Sequence, residues 1–234
     1  MGSSSMGIRD NYQRLRESIP GHVEIVVAAK TRTADEVAAV IDAGARHIGE
    51  NYVQEAMQLR QVLGSGVRDV TWHMIGHLQK NKINKALVTF DVIQSVDSVQ
   101  SAEAIDKRAE AAGRQSVPVL LEINIGSEYT KSGLAPAEHE PFEEYMEDCA
   151  RQVCRLEHIR LQGLMTMGPR VGDPEQSRPY FRRVRKIYDR LSTLGLDGAE
   201  MRYLSMGMTN SYKVAIEEGS NMVRIGTAVF GARD

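Results

Sequence analysis

The chain has 234 residues, 42% of them hydrophobic and 26% charged, with a formal net charge of -2 at pH 7 and a pI near 6.3. That length and composition suit one large globular core, and the near-neutral charge gives no electrostatic case for nucleic acid or an anionic membrane as partner. Transmembrane helices are excluded, because the longest apolar runs, such as 117–121, are only strand-sized.

The opening run Met1-Gly2-Ser3-Ser4-Ser5-Met6 lacks the apolar core of a signal peptide and carries Met6 where a myristoylation signal needs Ser or Thr. Residues 1–7 are therefore expected to be a flexible leader or tag remnant, followed by one domain over 8–234. The two cysteines, Cys149 and Cys154, fall five apart on a predicted helix, where their side chains diverge, so no mutual disulfide is expected. There is neither a zinc spacing nor a redox CxxC. These features point to a cytoplasmic protein without a bound metal.

In chain order, a first helix is predicted over 8–18, stopped by Pro20-Gly21, and a first strand over 24–30. Thr33 and Glu36 then form a capping box that starts a helix ending near Gly44. Further strands are predicted at 47–49, 71–75, 92–94, 117–124, 161–165, 202–204 and 222–225. Helical patterns lie between them near 52–62, 80–88, 99–112, 137–154, 174–194 and 210–218. Eight short Val/Ile-rich strands alternating with helices suit a closed (β/α)8 TIM-type barrel, an α/β fold with no unpaired edge. A doubly wound open sheet is the alternative, because periodicity does not report closure.

Functional residues in parallel α/β folds gather at the C-terminal ends of the strands. Lys30 stands there after the first strand, as a candidate nucleophilic amine for a carbonyl group or as a lysine that snorkels to solvent. Asn51 follows the second strand in Gly49-Glu50-Asn51-Tyr52, and helix capping is an equal claim on it. His73 and His77 have the spacing of a helical zinc pair, but Gly76 and the strand-like setting spoil that geometry. Late in the chain, Ser205-Met206-Gly207 and Gly226-Thr227 place small hydroxyl residues beside glycines at strand-to-helix turns, where backbone N–H groups can hold a phosphate. Arg224 is a guanidinium within an apolar strand, and such a charge needs a partner.

Taken together, the segments Val27-Ala28-Ala29-Lys30-Thr31, Gly49-Glu50-Asn51-Tyr52-Val53-Gln54-Glu55, Trp72 through Lys82, Ser95-Val96-Asp97-Ser98, Asn124-Ile125 through Glu128 to Gly133, Gly163-Leu164-Met165-Thr166-Met167, Leu204 to Met208 and Val223 to Gly231 resemble the pyridoxal phosphate homeostasis protein family, single-domain relatives of the alanine racemase N-terminal barrel. The resemblance runs through nearly the whole chain in the family's order. It implies pyridoxal 5'-phosphate (PLP) as cofactor, held by Lys30 as an internal aldimine. It further implies phosphate contacts at Ser205, Gly226 and Thr227 with Gly207 in the same loop, Arg224 facing the pyridine nitrogen, and Asn51 and Met206 in the pocket. His73 and Ser95 are expected to line the barrel mouth without direct contact, and Lys131, which matches a family lysine, either to contact ligand or partner or to be an exposed solvated lysine.

A fixed cation beside the pyridine nitrogen disfavours its protonation and makes the ring a weaker electron sink. The chain also ends soon after the eighth strand, without the second domain that carries the opposing base of alanine racemases. The resemblance thus implies a cytoplasmic PLP carrier or buffer, acting as a monomer and passing PLP to apo-enzymes, in the homeostasis of vitamin B6 and amino acids. A minimal PLP-dependent racemase or lyase is the alternative; Tyr52 and Tyr212 are phenols near the rim, with nothing specific to recommend either as its base. A phosphate-binding barrel enzyme that uses Lys30 without PLP is a third possibility. One departure from the family pattern is Thr209-Asn210-Ser211, where many members carry an acidic residue. Thr209 is expected to cap the following helix in its place.

Overall fold

The computed structural model describes residues 5–128, 130–169 and 172–231. Residues 1–4 of the expected leader lie outside the described residues, and helix α1 (Ser5–Ser18) already begins within the rest of it. The strands are β1 (Glu24–Ala28), β2 (His47–Glu50), β3 (Thr71–Met74), β4 (Val92–Val96), β5 (Val117–Glu122), β6 (Ile159–Thr166), β7 (Ala199–Met206) and β8 (Met222–Ile225). They form one closed parallel barrel in chain order, with β8 pairing back onto β1. Closure removes the open-sheet alternative. The helices are α2 (Ala34–Asp42), α3 (Val53–Leu63), α4 (Ile83–Thr89), α5 (Val99–Ala111), α6 (Phe142–Cys154), α7 (Arg178–Ser192), α8 (Tyr212–Glu217) and α9 (Thr227–Phe230). None among the described residues is long and apolar enough to cross a membrane.

Alternation along each strand divides the buried side chains into two sets. Outward positions such as Ile25, Val27, Trp72, Leu121, Leu204 and Val223 join the core between barrel and helices. Val26, Val92, Leu120, Met165 and Met222 are buried apart from that core and fill the barrel interior. The inward polar residues His73, Gln94, Glu122, Ser205 and Arg224 share that interior. Gly163, at φ 149°, lets β6 and β7 approach: a Cβ there would lie 1.8 Å from the Tyr203 carbonyl oxygen.

Several element ends differ from the sequence expectation. Helix α6 starts at Phe142 rather than 137, behind a separate 3-10 turn at Pro136–Glu138, because Pro141 stands at its N-cap. Helix α7 starts at Arg178, after the turn Pro174–Ser177. Strands β6 and β7 extend by several residues, since pairing lengthens them past their apolar centres. Helix α9 is absent from the expectation, as four residues are too few for a helical period. The Thr33–Glu36 capping box is present as read, with Thr33 Oγ1 accepting from the Glu36 N–H and the Glu36 carboxylate from the Thr33 N–H.

Candidate functional site

A cavity of about 320 Å3 opens at the C-terminal ends of the strands, with Ala28, Lys30, Asn51, Arg224, Gly226 and Thr227 on its wall. Lys30 enters it two residues past the end of β1. The chain is held on both sides of that lysine. The Ala29 N–H bonds the Gly49 carbonyl at 2.9 Å. Thr31, in the left-handed region at φ 63°, gives its N–H to Glu55 at 3.1 Å. A β-branched residue in that region is strained, so the turn that delivers Lys30 is imposed by its surroundings. Asn51 owes its place to Gly76, where a Cβ would lie 2.5 Å from the Asn51 carbonyl oxygen.

At the far wall Arg224 donates to Ser205 Oγ at 2.7 Å and to the Thr166 carbonyl at 2.8 Å. Burial pulls its guanidinium down to about 10 against the carboxylate of Glu122, so it remains a cation at neutral pH. Gly226 takes the inward position beyond Arg224. A Cβ there would meet nothing closer than the Ala28 carbonyl oxygen at 3.4 Å, an ordinary contact. Packing within the protein therefore does not require glycine at 226, whereas a side chain there would stand in the cavity. Thr227 follows as the first residue of α9, where the leading N–H groups of a helix have no intrahelical acceptor. Arg32 ties this corner together, donating to the Gly231 carbonyl at 3.2 Å with its guanidinium over the Phe230 ring.

Two buried carboxyls stand at the last residues of β2 and β5. Glu50 is fully buried on the outer face of β2, and neither oxygen has a hydrogen-bond partner. Burial and then the Glu55 charge push it up to about 8, against the pull of the Asn51 backbone N–H and of Lys30. Glu122 lines an adjoining cavity of about 450 Å3 that shares the Lys30 and Asn51 wall. Burial, and secondarily the Asp97 charge, push Glu122 up to about 7, against the pull of Arg224.

Three of the residues expected at a phosphate or pocket stand elsewhere. Ser205 is fully buried below the cavity, bonded to Gln94 and Arg224. Met206 points outward into the helix-side core. Gly207, at φ 99°, is glycine for steric reasons, because a Cβ would lie 2.6 Å from Ala215 Cβ and 2.9 Å from Tyr212 Cα. The loop contributes Met208, Thr209 and Asn210 to the wall instead. Thr209 therefore does not cap α8; Ser211 stands at that N-cap and its hydroxyl accepts from the Met208 N–H at 3.2 Å. Nor does Asn51 cap α3, whose N-cap is Tyr52. His73 and Ser95 are buried away from the mouth. Lys131 is not solvated: it pairs with Glu128 at 2.6 Å, donates to the Gly168 carbonyl at 2.8 Å, and lines the adjoining cavity.

Residues 5–234 match the alanine racemase N-terminal domain. The pyridoxal phosphate homeostasis protein of Escherichia coli (strain K12) is 36% identical over 221 residues, covering 92% of this chain and 88% of the relative. That of Pasteurella multocida (strain Pm70) is 35% identical over 212 residues, covering 91% and 87%. The chain belongs to the pyridoxal phosphate homeostasis protein family. The structure of PipY from Synechococcus elongatus PCC7942 with PLP bound superposes with a TM-score of 0.84 at 31% identity, over 96% of this chain and 100% of that one. Alanine racemase from Clostridium difficile 630 shares the fold, with a TM-score of 0.74 at 18% identity over 57% of its length.

Within this family frame, the structure brings Lys30, Asn51, Arg224, Gly226 and Thr227 to one cavity. Sequence reasoning missed Arg32, Glu122 and Gln94. Gln94 and Glu122 are polar residues inside Val/Ile/Leu-rich strands, a signal of the same kind that singled out Arg224.

Proposed function

We propose that this chain is a PLP-binding protein of the cytoplasm that takes part in PLP homeostasis, with Lys30 as the covalent anchor. One observation carries the reading: a primary amine, a buried guanidinium and an open glycine position meet in a single cavity of about 320 Å3, within the usual range for small-ligand sites. When bound, PLP supplies an aldehyde carbon to which a primary amine adds reversibly. Lys30 offers that amine from a strand end whose next residue is locked by Glu55. Gly226 and Thr227 leave room and backbone N–H groups for the phosphate. Arg224, a cation at neutral pH, would face the ring nitrogen and disfavour a proton there. Asn51 forms the wall between this cavity and the adjoining one. Apo forms of PLP-dependent enzymes are the recipients of the cofactor. The protein acts as a monomer, a reading supported by the scatter of exposed large apolar residues Met6, Tyr52, Val62, Val88 and Tyr180 over different elements.

Borohydride reduction followed by mass spectrometry tests the anchor. The unaltered protein retains the mass of reduced PLP and is yellow before reduction, and Lys30→Ala loses both. Retention of the adduct in the variant rules out Lys30.

A second reading, a minimal racemase or lyase, draws support from Glu122, a carboxyl held near 7 beside the Lys30 wall. Incubating the PLP-loaded protein with L-amino acids in deuterated water separates the two. The carrier reading expects α-proton exchange no faster than with free PLP; sustained exchange well above that rate establishes the enzyme.

A further inference from the structure

A hydrogen-bonded chain of inward polar side chains runs through the barrel. Arg224 donates to Ser205 Oγ at 2.7 Å, and Ser205 donates to Gln94 Oε1 at 2.7 Å. Gln94 Nε2 lies 3.0 Å from His73 Nδ1, and His73 Nε2 lies 2.9 Å from His47 Nδ1. His47 Nε2 lies 3.2 Å from Glu24 Oε2. Glu24 opens β1, so it sits at the end of the barrel opposite the cavity, with its carboxylate half-exposed. His73, Gln94, Ser205 and Arg224 are all buried.

The direction of every bond follows from the first. A guanidinium has only donors, so the Ser205 oxygen accepts from Arg224 and its single proton points on to Gln94. The Gln94 group facing Ser205 is then the carbonyl, and its amide nitrogen donates to His73 Nδ1. A ring nitrogen that accepts carries no proton, so His73 holds its proton on Nε2 and gives it to His47 Nδ1. By the same step His47 holds its own on Nε2 and donates to Glu24. Both rings are neutral in this arrangement, in keeping with burial, which pushes both below the ordinary histidine range. All donors thus point from the cation at one end to the carboxylate at the other, an alignment in which neighbouring bonds strengthen one another.

We propose that His73, Gln94 and Ser205 are positioning residues that fix the Arg224 guanidinium against the cavity through this one-way chain, which is anchored on His47 and Glu24 at the far rim. Thr166 holds only the other guanidinium nitrogen. Without the Ser205 acceptor the group keeps one of its two bonds and can turn about it, so the surface it offers to the cofactor ring is no longer set. This consequence for PLP rests on the function proposed above.

The test has two arms. In the first, histidine side-chain 15N NMR of the purified protein without added PLP reads the tautomers. His73 and His47 are both expected as neutral Nε2–H rings. In Gln94→Glu, titrated upward until the introduced carboxyl is ionised and has no proton to give, His73 carries a proton on Nδ1. A neutral Nδ1–H ring at His73 in the unaltered protein, or an unchanged ring in Gln94→Glu, overturns the chain.

In the second arm, PLP dissociation constants and absorption maxima are measured for Ser205→Ala, Gln94→Leu and the double variant. Each single change weakens binding roughly ten- to hundredfold, by the general cost of orphaning a buried partner of a charged group, and shifts the absorption maximum. The double variant is no weaker than the worse single one, because both act through Arg224. Unchanged affinities, or fully additive losses, overturn the positioning role. If Gln94→Leu does not fold, the Gln94→Glu tautomer decides. If the unaltered protein takes up no PLP, the proposed function fails, and the tautomers alone decide whether the chain exists.

Discussion

At the scale of single residues, the site combines groups that packing explains with groups that it does not. Gly207 and Gly226 illustrate the difference. A side chain at 207 collides with α8, whereas one at 226 meets only ordinary contacts and the cavity. Gly226→Ala is therefore expected to leave the thermal midpoint within about 2 °C, as a change without a steric clash, and to weaken PLP binding by about tenfold or more, an affinity loss of about 1.4 kcal/mol. Calorimetry and titration on the same samples check both halves.

Glu50 supplies a pH prediction. Its folded carboxyl is held up at about 8, above the unfolded value near 4.5. Between those limits the unfolded chain releases this proton and the folded protein keeps it, so rising pH favours unfolding through that window and levels off above it. Glu50→Gln removes the penalty. Urea denaturation is expected to find the variant more stable at pH 7, by up to about 3 kcal/mol by linkage, and the difference should shrink towards pH 5. A constant difference across this range contradicts a neutral Glu50.

At the scale of elements, the loop from β7 to α8 sets much of the cavity wall. Gly207 holds its left-handed turn at φ 99° against Tyr212 and Ala215, and Ser211 ties the Met208 N–H from below. Gly207→Ala adds both a left-handed alanine and a steric overlap, expected to cost about 2–4 kcal/mol in chemical denaturation. Because Met208, Thr209 and Asn210 ride on this turn, PLP affinity should fall with stability; a variant that loses stability and keeps full affinity would separate the loop from the site. The longer elements were legible in the sequence. The Thr33–Glu36 box marks the start of α2, and the apolar runs mark all eight strands. What was not legible has local causes: α9 is shorter than any recognisable period, and the helix starts near Pro141 and Pro174 are divided by short 3-10 turns.

At the scale of the whole molecule, closure of the barrel makes cavity and core one structure. The cavity wall takes residues from the start of the chain (Ala28, Lys30) and from its end (Arg224, Gly226, Thr227), which meet because β1 pairs with β8. Binding there should stabilise the whole barrel. At PLP a hundredfold above its dissociation constant the gain is about 2.7 kcal/mol, or roughly 5–10 °C in the thermal midpoint for a chain of this size. Trp72, the single tryptophan and fully buried, reports global unfolding by its emission. Lys30→Ala should lose most of that shift.

The sequence by itself determined the (β/α)8 alternation, the cavity positions of Lys30, Asn51, Arg224, Gly226 and Thr227, and the family, since each rests on local apolar period, turn chemistry or motif order. Only the tertiary structure decided which way neighbouring side chains face and what they touch across the barrel. Ser205 and Met206 are adjacent, yet one points to the barrel interior and the other to the helices, and Gly207 serves a helix contact. The pairing of Gln94 with Ser205, 111 positions apart, exists only because closure brings every strand's inward face to a common axis. Strand period gives alternation; its phase, and the partners met across the interior, are set by packing.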